Sequence, residues 1–171
     1  MALAVITMLA PSGTPPSPPP GVAEVLLANA RLLQRAEPGS DMEGLLRGKN
    51  LGLVCESDDD ADATRFREAA EALGASVSHI RPELAPAGGV TGGSLLRTAR
   101  LLGRLYDAIE CQGLAPALVV QLGREAGVPV FDGVATPAHA IAQLALELDG
   151  SEPLEKKRRL LVQAVLLLEL R

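Results

Sequence analysis

The sequence contains few aromatic residues and few cysteines, and it has no excess of positive charge. Aromatic residues make up 2% of its 171 positions and tryptophan is absent, so the core of a folded domain has to be aliphatic. Two cysteines cannot form a disulfide framework, and Cys55 and Cys111 lie in apolar runs, which fits a reducing cytoplasm. A net charge of −5 argues against a general nucleic-acid binder, whose surface is normally basic.

Long apolar runs are also lacking. No run approaches the roughly 18 residues that a membrane span needs, so we expect neither a membrane nor nucleic acid as a partner. Apolar residues nevertheless form 47% of the chain and charged residues 22%, which is typical of a globular protein and too apolar for disorder. The length fits one domain, or one domain with an appendage.

The first residues differ in composition from the rest. Met1–Ala10 is apolar, and proline occupies six of the ten positions in Pro11–Pro20. Such a tract favours extended polyproline II structure, so we expect residues 1–20 to form a stiff leader. No Lys or Arg precedes Arg31, which argues against a secretory signal.

Residues 21–150 alternate between short apolar runs and segments of helical periodicity. The runs predict β-strands at Leu51–Glu56, Ser76–Ile80, Tyr106–Cys111 and Val128–Phe131. The periodic segments predict helices at Val22–Ala36, Asp62–Leu73, Ser94–Leu105, Ala115–Ala126 and Pro137–Leu148, with Ser94 as an N-cap. Strands separated by helices of about a dozen residues indicate βαβ units and a parallel sheet covered on both faces.

Ligands of open parallel sheets bind at the carboxyl ends of the strands. The loops at those ends are Ser57–Ala61, Gln112–Leu114 and Asp132–Thr136, and any chemistry is expected there.

The last segment combines a basic run with an apolar one. Glu155–Arg159 carries one negative and four positive charges, and Leu160–Leu170 is apolar at nearly every position. A helix that is apolar on all sides has to be buried, either by its own protein or by a partner.

Several runs, in one order, resemble the carbamoyl-phosphate-binding domain of the aspartate/ornithine carbamoyltransferase family. Leu46–Val54 is similar to the family's Leu-x-Gly-Lys-x-Leu sequence at the first strand, and Asp107–Ile109 matches its third strand. Val128–Val130, Gly133 and His139 match the segment that leads into its His-Pro-x-Gln helix.

The resemblance implies a three-layer α/β/α fold with a four-stranded parallel sheet in the order 2-1-3-4. It places the domain at residues 21–150 and implies that residues 151–171 are a helix that packs back on it. In the family, a second domain that binds the amine acceptor precedes that helix. Here Asp149-Gly150-Ser151 leads directly into the helix, so we expect the acceptor domain to be missing.

The family's carbamoyl-phosphate motif is altered. Its Ser-Thr-Arg-Thr-Arg sequence falls on Asp59, Asp60, Ala61, Asp62 and Ala63, so carboxylates are introduced and both arginines are lost. Two like unit charges about 4 Å apart repel by roughly 4 kcal/mol at an effective dielectric constant near 20. A phosphate is therefore disfavoured at this position.

The remaining family ligands are altered as well. The arginine after the third strand falls on Gln112, and His139 is all that remains of His-Pro-x-Gln, while Arg100 is kept. His139 fits a helix cap or a buried hydrogen-bonding group as well as a group that polarises a carbonyl. The candidate ligand-binding residues of the altered site are Asp59, Asp60, Asp62, Arg100, Gln112 and His139.

These changes predict a non-catalytic protein with a structural, scaffold or regulatory role. The resemblance implies a homo-oligomer, which is a trimer in the family, or docking onto a carbamoyltransferase-type subunit. We assign no catalytic residue, no cofactor and no metal.

Two other functions remain open. The acidic loop at Asp58–Asp62 could bind a cation, an amine or an amino acid, although aspartates at a helix start are favoured by capping and by the helix dipole. Residual carbamoyl transfer is the third possibility, with the acceptor site and the missing arginines supplied by another chain.

Overall fold

The computed structural model of the protein describes residues 18–36, 41–57, 59–82 and 92–171. The expected leader at residues 1–20 lies almost entirely outside these ranges, and the division into three segments stays a prediction. Four β-strands lie at Asn50–Val54 (β1), Ser76–Ile80 (β2), Ala108–Cys111 (β3) and Val130–Asp132 (β4). Five α-helices lie at Pro20–Arg35 (α1), Ala61–Glu71 (α2), Gly92–Leu105 (α3), Pro116–Ala126 (α4) and Leu154–Leu170 (α5), and two 3₁₀ helices at Asp41–Gly44 (η1) and Ala140–Glu147 (η2).

The strands form one parallel sheet in the order β2-β1-β3-β4, which confirms the predicted order. Strand β1 is central and pairs with both neighbours: Leu53 lies opposite His79 on β2 and opposite Glu110 on β3. On the far side, Glu110 lies opposite Phe131 on β4. All the carboxyl ends of the strands therefore meet at one edge of the sheet.

The two faces of the sheet bury separate aliphatic cores. Leu51, Leu53 and Phe131 point to one face, where they pack with residues of α1, α2, η2 and α5. Val54 and Ile109 point to the other face, where residues of α3 and α4 cover them. The protein thus has the three-layer α/β/α architecture that the alternation of strands and helices predicts.

Helix α5 lies within the first of these cores. Every residue of Leu160–Leu167 is buried, so the apolar helix is covered by its own protein. Arg65 and Glu68 of α2 pair with Glu155 and Arg159 of α5, so the two helices run parallel. Among the described helices, none is long and apolar enough to cross a membrane.

Three expectations about the elements need correction. The predicted α-helix Pro137–Leu148 is the 3₁₀ helix η2, because a spacing of three residues brings apolar side chains to one side in either helix type. Helix α3 begins at Gly92, so the expectation that Ser94 is its N-cap is wrong; the two glycines before Ser94 continue the helix toward the amino end. The third strand starts at Ala108 because the Tyr106 N–H donates to Leu102 O and closes α3.

Candidate functional site

Five of the six candidate residues lie at the carboxyl edge of the sheet. Asp59, Asp60 and Asp62 are in the connection from β1 to α2 and in the first turn of that helix. Gln112 directly follows β3, and His139 precedes η2 in the connection after β4. The parallel topology therefore gathers them at the edge where such sheets bind ligands.

Arg100 lies elsewhere. Its Nη2 is 3.5 Å from Oε2 of Glu125, and both side chains are exposed. Glu125 is in the last turn of α4, near the amino ends of the strands. The structure therefore does not bring Arg100 together with the other candidates.

The amino end of α2 is occupied by the chain's own carboxylate. Asp60 is the N-cap, and its Oδ1 accepts a hydrogen bond of 2.8 Å from the N–H of Asp62. The N–H of Asp59 donates to Ser57 Oγ at 3.3 Å. A helix start can bind an anion through its free N–H groups, and here one of those groups is already satisfied from within.

Arg65, one turn into α2, is bound by three groups from different parts of the chain. Its Nη1 donates to Asp62 Oδ1 at 2.7 Å and to the carbonyl of Ala135 after β4. Its Nε and Nη2 donate to Glu155 Oε2 of α5 at 3.0 and 2.6 Å. Burial lowers the pKa of Arg65, but the hydrogen bonds to Asp62 and Glu155 outweigh it and raise that pKa overall. Four hydrogen bonds to anionic and carbonyl oxygens thus engage the guanidinium.

Glu110 and Gln112 form a buried pair at the end of β3. The Glu110 side chain is fully buried, and Gln112 Nε2 donates to its Oε1 at 2.7 Å. Burial raises the pKa of Glu110 well above its ordinary value, and the nearby Asp132 carboxylate also acts to raise it. The neutral carboxylic acid is therefore favoured, and the Gln112 amide group is already engaged in a hydrogen bond to it.

His139 serves as a helix cap. Its Nδ1 accepts a hydrogen bond of 3.4 Å from the N–H of Ile141 at the start of η2. The ring is buried, and burial lowers the pKa of His139 to about 4, so the imidazole is neutral at pH 7. Its Nε2 and Glu110 Oε2 are buried atoms without a hydrogen-bond partner among the described residues.

Sequence reasoning overlooked Glu110 and the role of Arg65. An acidic residue inside the apolar strand Ala108–Cys111 is a signal for a buried carboxyl group, and it could have been noticed. The contact between Arg65 and Glu155 spans 90 positions, and no local pattern indicates it.

The described acidic side chains do not converge on a cation position. Asp60 caps α2, and Asp62 pairs with Arg65. Within the described ranges, no group of three or more His, Cys, Asp or Glu side chains could hold a metal ion. Asp58 lies outside those ranges.

Comparison with known proteins identifies carbamoyltransferases. The ornithine carbamoyltransferase of Actinobacillus pleuropneumoniae serotype 5b is 38% identical over 131 residues, covering 77% of this chain and 39% of the relative. The catabolic ornithine carbamoyltransferase of Burkholderia mallei is 40% identical over 121 residues, covering 70% of this chain and 35% of the relative. No protein-family model matches the chain.

Solved structures agree with the sequence relatives. The ornithine carbamoyltransferase of Thermus thermophilus superposes with a TM-score of 0.58 at 25% identity, covering 73% of this chain and 42% of that one. The enzyme of Pyrococcus furiosus, at 23% identity and a TM-score of 0.59, shares the fold and covers 73% of this chain. The chain thus spans less than half the length of these relatives.

Proposed function

The chain belongs to the aspartate/ornithine carbamoyltransferase family, of which it carries a partial domain, and from this premise we propose that it does not catalyse carbamoyl transfer. We propose instead that it acts as a structural or regulatory subunit, through association with copies of itself. Relatives named as ornithine carbamoyltransferases share 38% identity over 77% of the chain, but the chain covers 39% of their length.

The observation that carries this proposal is the occupation of the position where the family binds phosphate. Asp60 caps the start of α2 with its own carboxylate, and Asp62 adds a second carboxylate in the first turn of the helix. A phosphate about 4 Å from one carboxylate is repelled by roughly 4 kcal/mol at an effective dielectric constant near 20. Each missing arginine contact removes about 1.5–3 kcal/mol of attraction.

The other side chains of the altered site are equally unsuited to the reaction. The Gln112 amide donates to the buried Glu110 carboxyl, and neutral His139 caps η2. Both cysteines are buried, and burial raises the pKa of the Cys111 thiol, which disfavours the nucleophilic thiolate. These groups support the fold, and the retained aliphatic cores are what a structural subunit needs.

Helix α3 offers a surface for association. Leu101 and Leu105 lie one turn apart, and each is more than half exposed. Adjacent exposed leucines favour contact with another protein surface. We propose a homo-oligomer that uses this face, with a trimer as the state that the family resemblance implies and the cytoplasm as its location.

The absence of carbamoyl transfer is tested with purified protein, carbamoyl phosphate, and either ornithine or aspartate. We expect no citrulline or carbamoyl-aspartate above the rate without protein, because the phosphate position repels its ligand. Product formation that disappears in His139→Ala would overturn the proposal.

Association is tested by sedimentation velocity over a range of protein concentrations. We expect an oligomer for the native chain and monomers for the double variant Leu101→Glu/Leu105→Glu. Leu146→Glu is the matched control, because Leu146 is 70% exposed but lies on η2, so this variant should keep the native mass. A native protein that stays monomeric at every concentration contradicts the proposed association.

A further inference from the structure

A cleft of about 360 Å³ lies between the first two turns of α2 and the first two turns of α5. Its cationic side chains are Arg65, Lys156 and Arg159, and Thr64 contributes a hydroxyl group. Glu68 and Glu155 also line it. The cleft lies on the side of α2 that contacts α5, whereas the altered family site lies at the carboxyl end of β1.

The two helices present their amino ends to the same end of this cleft. Arg65 pairs with Glu155, and Glu68 pairs with Arg159, so residue numbers rise together along α2 and α5. Parallel helices whose amino ends lie side by side add their positive dipole ends. The N-cap of α5 is Pro153, which makes no side-chain hydrogen bond to the first turn. The electrostatic environment therefore favours an anion.

The carboxylate of Glu155 already lies between the two helices. Glu155 Oε2 accepts from Nε and Nη2 of Arg65 at 3.0 and 2.6 Å, and its Oε1 accepts from Nη1 of Arg158 at 2.6 Å. Two guanidinium groups on one carboxylate is the arrangement with which proteins recognise phosphate as well. The Glu155 side chain is 59% exposed, so it can turn into water at low cost.

The charges favour an anion once Glu155 has turned away. The side chains of Arg65, Lys156, Arg158 and Arg159 are then opposed by three carboxylates, those of Asp62, Glu68 and Glu152, so an excess of positive charge remains. Lys156 is the cation with the weakest internal bond, because its Nζ lies 3.9 Å from Glu152 Oε1.

We propose that the cleft between α2 and α5 binds a small tetrahedral oxyanion of the phosphate class, with Arg65, Lys156 and Arg159 as ligands and Glu155 as an internal competitor. This binding site is independent of the proposed lack of catalysis. It requires no reaction, and it lies on the α5 side of α2.

The test is isothermal titration of the full chain with inorganic phosphate in a low-salt, phosphate-free buffer. Glu155→Gln removes the competing charge, so we expect it to bind phosphate at least about tenfold more tightly than the native chain, a factor that corresponds to roughly 1.4 kcal/mol. Lys156→Met should weaken binding by a similar factor. Its ammonium makes one long ion pair, so this variant should fold normally.

Glu71→Gln is the matched control, because Glu71 lies in the last turn of α2 and the substitution changes the net charge by the same amount. Unchanged affinity in this variant, together with the two shifts above, supports the cleft. Absence of heat in both the native chain and Glu155→Gln would overturn it. So would equal gains from Glu155→Gln and Glu71→Gln, or no effect of Lys156→Met. Product formation is measured separately, so failure here is distinguishable from failure of the proposed function.

Discussion

The side chain of Glu110, on β3, is fully buried, and the burial of its carboxyl group makes the stability of the protein depend on pH. The residue is fully buried in β3 and accepts a hydrogen bond from Gln112. Burial raises its folded-state pKa well above the ordinary value of 4.5. The folded protein therefore holds the Glu110 proton more tightly than the unfolded chain does. That contribution to stability is complete below pH 4.5 and is lost as the pH rises through the folded-state pKa.

Glu110→Gln should remove this dependence. The glutamine keeps an oxygen for the Gln112 amide but does not ionise, so the variant should be more stable than the native protein at neutral and alkaline pH. Urea unfolding followed by far-UV circular dichroism measures the difference from about pH 8 upward, where the His139 imidazole is neutral both in the folded protein and in the unfolded chain. Glu147→Gln, at an exposed position, serves as the control. Parallel pH profiles for Glu110→Gln and the native chain would contradict the expectation.

The residues of the candidate site differ in how far sequence could anticipate them. The sequence places the aspartates at 59, 60 and 62 at the carboxyl edge, because the change from an apolar strand to a helix start is a local pattern. A capping role is one of the interpretations that the sequence leaves open for His139. Arg65 could not be assigned, because its partners Ala135 and Glu155 come from distant parts of the chain.

At the scale of whole elements, α3 and α4 pack with no space for a side chain at one position. A Cβ atom on Gly103 would overlap the backbone oxygen of Ala126 at the end of α4. Backbone atoms cannot move aside as the tip of a flexible side chain can, so the two helices would have to separate. Gly103 is therefore required by packing, although it lies in the interior of a helix.

Gly103→Ala should destabilise the protein by about 1–3 kcal/mol or more, the cost of overpacking a filled contact. Gly21→Ala is the matched control, since Gly21 lies in α1 with open space around its Cβ position. Alanine is the better helix former by about 1 kcal/mol, so the control should be neutral or stabilising. Thermal unfolding separates the two variants, and equal melting temperatures would contradict the packing argument.

Element types were predictable where the apolar period was distinct. All four strands and the helices α1 to α5 lie within a few residues of the predicted ranges. The exception is η2, because the apolar residues Ile141 and Leu144 recur with a spacing that α and 3₁₀ helices share. The strand order follows only from the resemblance to the family, since composition and period do not specify which strands are neighbours.

At the scale of the whole molecule, α5 completes the hydrophobic core on one face of the sheet. Leu166 is fully buried in the core formed with α1, α2 and η2, while Tyr106 packs against the core on the opposite face. Tyr106 is the single tyrosine in the sequence, and there is no tryptophan. Its fluorescence therefore reports on the layer that α5 does not touch.

Leu166→Ala should lower the free energy of unfolding by about 2–5 kcal/mol, the usual cost of a cavity in a packed core. If both faces unfold together, far-UV circular dichroism and Tyr106 fluorescence will shift to the same lower urea concentration. Leu146→Ala, at an exposed leucine, should leave both transitions in place. Transitions that separate in Leu166→Ala would indicate two independently unfolding layers.

The position of α5 has a consequence for how the chain acquires its fold in a cell. A ribosome releases the polypeptide from its amino end, so Leu154–Leu170 emerges after α1, α2 and the whole sheet that it helps to cover. Until then, the leucines of α1 and the side of α2 that α5 covers remain exposed to water. During this interval the nascent chain exposes an aliphatic surface that chaperones and neighbouring nascent chains can bind.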